Sequence, residues 1–340
     1  MKAGPILETL LRSPEPSIRW KVRTQVLGES AHSGKIGSLE QQVRESPRVR
    51  AILRRKSNLG QSGTLRGVYY KWQGCHWALA RLADLGYPEG DESLRPLVER
   101  VLDTWLKPTY FREYRATSRR VGYGRVGVPV MRGRYRRCAS QQGNALCAVT
   151  RLGLDDGRVE QLAERLLHWQ WPDGGWNCDR DPSADTSSFF ETLLPMQGLW
   201  AHGSRARAEG AMDGARRASE VFLRRRLFKR ISDGRVIRPE FVRLHYPTYY
   251  HYDVLAGLRG MVEVGRILDP RCGDALDWLE GRRLPDGGWP AESKFYRWQP
   301  HRFAAGSEFV NWGGTSSART NPWVTADALG VLRAAGRLTL

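Results

Sequence analysis

Trp171-Pro172-Asp173-Gly174-Gly175-Trp176 and Leu284-Pro285-Asp286-Gly287-Gly288-Trp289 write one turn twice. In each copy the proline presets one φ, the aspartate can hold nearby backbone N–H groups, and the paired glycines admit the left-handed backbone that a reversal needs. Each copy closes an amphipathic stretch and stands ahead of a second apolar stretch of helical length. A Pro-Asp-Gly-Gly-Trp unit that recurs between helices marks a repeat architecture, and a repeat constrains the fold before any single residue does.

Working outward, the same grammar recurs without the full turn: a polar and aromatic lead-in, then an apolar helix, usually ending at a glycine. Lys71-Trp72-Gln73-Gly74-Cys75-His76 leads into residues 77–86, and Arg137-Cys138-Ala139-Ser140-Gln141-Gln142 leads into 144–153. Asp185-Thr186-Ser187-Ser188 precedes 189–200, the stretch from His245 to His251 precedes 252–265, and Arg319-Thr320-Asn321-Pro322 precedes 323–336. Asp, Ser, Thr and Asn at these starts suit N-caps, and the closing glycines suit left-handed C-caps. More polar amphipathic helices fall between them, at 94–106, 159–169, 215–227 and 273–281. Apolar and amphipathic helices in alternation, with almost no period-two signal, predict an all-α fold with inner and outer layers, a single α/α barrel or toroid of about six helical hairpins. Residues 1–60, with helices expected at 6–11, 18–27 and 43–53, read as N-terminal helices that complete or cap the barrel, and 61–340 as the toroid domain. The stretches 122–133 and 294–318 read as long loops, which in compact domains often form lids or rims.

Composition bounds the rest. A chain of 340 residues with 41% hydrophobic and 10% aromatic content can bury a large core, and no apolar run approaches the ~18–20 residues of a membrane span. Five scattered cysteines, Cys75, Cys138, Cys147, Cys178 and Cys272, form no CxxC pair and suit a reducing compartment. The expected setting is soluble and cytoplasmic. A formal charge of +18 favours an anionic partner: a phosphate or diphosphate, nucleic acid or an acidic lipid surface. The basic residues concentrate at 112–137 and at 216–230, where they interleave with Phe222, Leu223, Leu227, Phe228 and Ile231 as a basic amphipathic helix. There is no nucleic-acid motif of the helix-turn-helix, zinc-finger or RNP type.

With the twin turns in place, the chain resembles the α/α-toroid superfamily of class II terpene cyclases and protein prenyltransferase β subunits, and looks most like single-barrel bacterial members described as squalene-hopene-cyclase-like. Residues 71–86, 171–192 and 249–289 carry the resemblance. It implies that Gln170, Trp171 and Trp176 tie consecutive hairpins together; the second copy lacks the glutamine. It also implies an isoprenoid or isoprenoid diphosphate in a central barrel pocket, a small hydrophobic or diphosphate-bearing ligand.

In a toroid of this kind the amino-terminal ends of the inner helices gather at one mouth, where helix dipoles favour anions. The candidate ligand-binding residues are therefore Trp72, Gln73, Gln141, Asn144, Ser188, Tyr249, Asn321 and Trp323, and the candidate acid–base residues Asp185, Glu191, His76, Asp179, Asp181, His251 and Asp253. The class II acid motif D-x-D-D-T, laid on Pro182-Ser183-Ala184-Asp185-Thr186, puts Ala184 at the acid position. The prenyltransferase zinc pattern D-x-C, laid on Asp185-Thr186-Ser187, puts a serine at the thiolate. Neither familiar chemistry is intact, unless Asp179, Asp181 or Glu191 supplies the proton. Zinc or magnesium is the candidate cofactor, with Cys75-His76 joined by Cys138 or Cys178 as one ligand set. The readings that stand are a divergent terpene cyclase or prenyl-diphosphate-using enzyme; a non-catalytic toroid binding nucleic acid or protein through basic faces; and a zinc-dependent toroid enzyme. Peripheral membrane contact fits the charge, and a transmembrane segment does not fit the hydropathy.

Overall fold

The structure, a computed structural model, describes residues 4–54 and 65–339. The boundary expected at residue 60 lies outside them. From the amino terminus run α1 (Gly4–Leu11), α2 (Pro16–Lys21, continued by a π turn at Val22–Val26), α3 (Gly34–Arg44), α4 (Pro47–Leu53), α5 (Leu65–Tyr69) and α6 (Cys75–Leu85). Next come α7 (Arg95–Trp105) and α8 (Pro108–Phe111), then an excursion holding β1 (Glu113–Arg115), α9 (Arg119–Tyr123), β2 (Val128–Met131) and β3 (Arg134–Tyr135). The remainder is α10 (Ala139–Arg151), α11 (Gly157–His168), α12 (Phe189–Ala206), α13 (Glu209–Leu223), α14 (Val254–Glu263), α15 (Gly273–Gly281), β4 (Arg297–Trp298), β5 (Ser307–Glu308) and α16 (Pro322–Ala334).

Six helices close a ring. α2 and its continuation pack on α6, α6 on α10, α10 on α12, α12 on α14, α14 on α16, and α16 returns to α2. Outside them α3 lies against α2, α7 against α6 and α10, α11 against α10 and α12, α13 against α12 and α14, and α15 against α14. This is the all-α, two-layered ring that the alternation of helix types predicts. Indoles fill much of the core: Trp77, Trp105, Trp169, Trp176 and Trp289 are each under 2% exposed. Caps set several starts, with Ser33 accepting from Ile36 N, Asp156 from Arg158 N, and Asn321 from Trp323 N and Val324 N.

The twin turns share their backbone hydrogen bonds. Trp171 N donates to Gly175 O at 2.8 Å, and Leu284 N to Gly288 O at 2.8 Å. Gly174 and Gly287 take φ of 103° and 89°, which a side chain would resist. Asp173 accepts from the Ser187 hydroxyl at 2.6 Å, and Asp286 from the Thr320 hydroxyl at 2.6 Å, so each turn is pinned to the lead-in of the next inner helix. The glutamine missing from the second copy has a replacement. Gln170 Nε2 donates to Gly174 O at 2.6 Å, and Arg283 Nε donates to the equivalent Gly287 O at 3.0 Å.

Three local expectations change. The amphipathic helix expected through residue 230 stops at Leu223, because Arg226 and Leu227 take φ of 44° and 68°; Phe222, Leu223, Leu227 and Phe228 are buried instead of forming a face. The stretch at 122–133 contains β2, paired with β1 in parallel and β3 antiparallel. The stretch at 294–318 contains the short β4–β5 ladder.

Candidate functional site

The interior of the ring is nearly full. A cavity of about 80 Å³ lies between α6, α10, α12, α14 and the segment 247–250, walled by Trp77, Arg81, Asn144, Arg151, Tyr249 and Arg259. Small-molecule sites run to roughly 300–1,000 Å³. Its floor is a charged knot. Lys21 Nζ lies 3.0 Å from both Asp84 and Asp327, and Arg259 lies 2.6 Å and 2.9 Å from the same two carboxylates. Tyr246 adds a hydroxyl donor to Asp84 at 2.7 Å. Burial alone would raise the Asp84 carboxyl, but Lys21 and Arg259 overcome it and hold the group well below the usual carboxylate range. Arg151 pairs with Glu263 at 2.8 Å, and Arg81 pairs with Glu308. The cations here are matched by carboxylates, so the interior offers no surplus charge to a ligand.

The mouth is different. α10 begins one residue after Cys138, and α12 carries Glu191 in its first turn, pointed across to its neighbour: Ser140 N donates to Glu191 Oε2 at 3.0 Å. Cys178, on the chain leaving the first twin turn, donates its thiol to Glu191 Oε1 at 3.3 Å. The Cys138 and Cys178 sulfurs and a Glu191 carboxylate oxygen all lie within 4.8 Å of one another. A hydrogen bond from the Cys178 thiol, working against burial, lowers the Cys138 pKa. The Cys178 thiol is correspondingly raised by that bond and by burial. Burial raises Glu191, opposed by Ser140, Cys178 and Arg137.

Beside this cluster a groove of about 320 Å³ is lined by Tyr110, Tyr123, Arg125, Val126, Arg137 and Arg180. The Arg137 guanidinium lies 5.2 Å over Tyr110 and 5.8 Å over Trp169. The Gln142 amide, oriented to satisfy both neighbours, accepts from Arg137 Nε at 3.2 Å and donates to Cys138 O at 3.3 Å. Arg180 lies 4.7 Å over the Tyr123 ring and donates to Gly122 O at 2.6 Å.

The donor set discriminates between metals. Two thiols and a carboxylate suit zinc, whereas magnesium takes oxygen ligands. The set that forms is not Cys75-His76 with a distant cysteine. Trp105 Nε1 donates to His76 Nδ1 at 3.2 Å, and Asn144 Nδ2 lies 2.9 Å from His76 Nε2, so both ring nitrogens are engaged by neighbouring side chains. His76 is thus a buried neutral ring, its pKa pushed down to about 3 by desolvation.

The other candidate residues spread over several roles. Gln141 hydrogen-bonds the Tyr69 hydroxyl at the mouth. Trp72 stacks on Tyr249 at 3.9 Å and donates to Phe295 O, while Gln73 holds Arg302 O and Ala304 N, so both fasten the stretch at 294–318. Tyr249 donates to Glu308 at 2.8 Å. Asp253 caps α14 through Ala256 N and accepts from His245 N. His251 stacks on Phe295 with centroids 3.5 Å apart and is pushed down to about 3, chiefly by burial. Ser188 is the half-buried residue ahead of α12, Asn321 caps α16, and Trp323 is 1% exposed inside it. Asp179 and Asp181 form successive Asx turns, accepting from Asp181 N and Ser183 N at 2.9 Å, and Asp185 is exposed. The sequence reading missed Arg137 and Arg180 as a pair, and missed the charged knot entirely. Its only signal was a single charge on an otherwise apolar helix face, as at Lys21 among Ile18, Val22 and Val26.

No protein-family model matches this chain, and no curated protein matches it. Among solved structures it is similar to a type II terpene cyclase from Scytonema in complex with its substrate geranylgeranyl dihydroxybenzoate, at 15% identity, 98% coverage of this chain, 99% of that one, and a TM-score of 0.40. The ring described above rests on its own helix contacts, and no chemistry is carried over from that likeness.

Proposed function

We propose that this chain is a zinc-dependent enzyme working at the amino-terminal mouth of its ring on a substrate with an anionic head and an apolar body, isoprenoid diphosphates being the class that the sequence resemblance implies. One observation carries the reading: two sulfurs and a carboxylate oxygen from three separate segments converge within 4.8 Å, beside a groove lined by guanidiniums. Zinc bonds of about 2.3 Å to sulfur and about 2.0–2.2 Å to oxygen need donors roughly 3.5–3.8 Å apart, a small further closure. Cys138, Cys178 and Glu191 would hold the zinc, which would supply a Lewis acid at the mouth.

The rest is done by the chain. Ser140 N fixes one Glu191 oxygen and leaves the other toward the sulfurs. Arg137 and Arg180 receive and orient the anionic head. Tyr110, Tyr123 and Val126 cover the apolar body and exclude water.

The test is metal analysis of protein purified without chelator, with about one zinc per chain expected for a three-ligand site. Cys138→Ser and Cys178→Ser should each lose most of it, whereas Arg137→Gln should keep the metal and weaken farnesyl diphosphate binding. A folded, metal-free protein that ignores farnesyl diphosphate sinks the reading. A second reading, a non-catalytic ring that binds an anionic partner, is favoured by the filled interior with its cavity of about 80 Å³.

A further inference from the structure

Half of this chain's surplus charge sits on one excursion. Residues 107–137 carry ten basic side chains against the single acid Glu113, in a chain whose formal charge is +18. The excursion is anchored from within: β1 and β2 pair, Val128 and Met131 are buried, and the Tyr114 hydroxyl donates to Gly122 O at 2.6 Å. What this anchored element leaves exposed between its arginines is apolar. Val121, Tyr123 and Val126 are 38%, 66% and 69% exposed, three of the seven large apolar side chains left exposed among the described residues. Arg119, Arg120 and Arg125 alternate with them and are exposed too. Nearby acids are few: Glu113 is engaged by His168 and Trp169, and Asp179 lies 3.5 Å from Arg119, with Asp181 beside it.

We propose that the exposed stretch 119–126, in which Val121, Tyr123 and Val126 alternate with Arg119, Arg120 and Arg125, docks on an anionic lipid surface. Exposed apolar side chains interleaved with exposed guanidiniums are the complement of a bilayer interface. The valines enter the acyl boundary, the tyrosine sits at headgroup depth, and the guanidiniums meet lipid phosphates. Nucleic acid complements the charge but not the apolar side chains, since valines have no ring face on which a base can stack. No helix among the described residues is long and apolar enough to cross a membrane, so the contact is peripheral. Tyr123, Arg125 and Val126 also line the groove beside Cys138, Cys178 and Glu191, so docking brings that groove to the lipid surface.

The experiment is vesicle flotation with phosphatidylcholine alone and with about 30 mol% phosphatidylglycerol, the wild type against Val121→Ser/Tyr123→Ser/Val126→Ser and against Arg119→Gln/Arg120→Gln. The anionic vesicles should bind the wild type at least about tenfold more tightly than neutral ones, and the triple variant should lose about tenfold or more of that binding. The arginine variant should also bind more weakly, and ~0.5 M salt should release both it and the wild type further. All substitutions are on exposed side chains, and matching melting curves establish that the variants are folded. Equal partition into both vesicle types, anionic-vesicle binding untouched by the triple variant, or capture of a single-stranded oligonucleotide without vesicle binding would each overturn the proposal. The assay is run before and after chelation, so its failure leaves the zinc reading standing, and loss of the zinc reading leaves this one standing.

Discussion

Trp176 and Trp289 hold the same place in two different hairpins: each indole N–H donates to the carbonyl ten residues earlier, Leu166 at 2.9 Å and Leu279 at 2.7 Å. Their backbones match as well. Trp176 N donates to Thr192 Oγ1 at 3.2 Å, and Trp289 N donates to Thr325 Oγ1 at 2.9 Å. A threonine one turn into each following inner helix thus receives the tryptophan, and the repeat is a repeat of hydrogen bonds.

Replacing either threonine by valine keeps the shape and removes the acceptor, leaving a buried tryptophan N–H without a partner. Thr192→Val and Thr325→Val should each cost about 1–3 kcal/mol in urea unfolding. The two sites lie on α12 and α16, with α14 between them in the ring, so the double variant should cost close to the sum. An effect at one site only would mean that the turns are not equivalent in energy.

Backbone contact between α10 and α12 sets a second expectation. A Cβ on Gly143 would lie 2.3 Å from Pro195 N, and one on Gly198 would lie 2.5 Å from Gly143 O. Neither neighbour is a flexible side-chain end that can move aside. Gly143→Ala should therefore destabilise by about 2–3 kcal/mol or more. Gly210→Ala, on α13 with nothing within 4 Å of the new atom, should stabilise by about 0.4–1 kcal/mol. Thermal melts of the two variants should move in opposite directions.

The charged knot predicts a loss larger than its partner count suggests. Lys21 is under 2% exposed, and its ammonium is shared by Asp84 and Asp327. Lys21→Met leaves buried Asp327 and partly buried Asp84 with Arg259 as their shared cation, which should cost about 3–5 kcal/mol. Lys21→Met/Asp327→Asn removes one charge of each sign and should recover part of that loss. A double variant as unstable as the sum of its singles would show that the groups act independently.

These cases show what a sequence exposes and what it hides. The twin turns were legible because their chemistry is local: proline, aspartate and two glycines fix the reversal within six residues, and the following caps lie on the same short stretch. The ring followed from the alternation of apolar and amphipathic helices. The knot was not legible, because its members meet across separations as large as that of Lys21 and Asp327, 306 residues apart. The Cys138–Cys178–Glu191 cluster was half legible. Cys138 stood on a lead-in expected at the mouth, Glu191 among the candidate acid–base residues and Cys178 as a candidate zinc ligand beside Cys75-His76, but which cysteine meets which carboxylate is decided by the packing of α10 against α12. The end of α13 was misread because a run of basic and apolar residues continues the helical pattern past Leu223, while the backbone turns left-handed at Arg226 and Leu227.

A last expectation concerns pH. His76 is fully enclosed, and burial takes its pKa from the ordinary 6.5 down to about 3. Its folded value lies below its unfolded value, so between these limits the unfolded chain binds a proton that the folded chain refuses. Stability contributed by the neutral ring is complete above pH ~6.5 and falls as pH drops, at about 1.4 kcal/mol per pH unit for one group. From pH 7 to pH 5 this amounts to roughly 2 kcal/mol. His76→Gln keeps a polar side chain beside Asn144 and removes the titration. The variant should be less stable than the wild type at pH 7, yet lose about 2 kcal/mol less on going to pH 5, with His251 contributing a separate acid loss in both proteins. Urea titrations of both at the two pH values measure the difference directly, and parallel losses would mean that the His76 ring takes up its proton in the folded state.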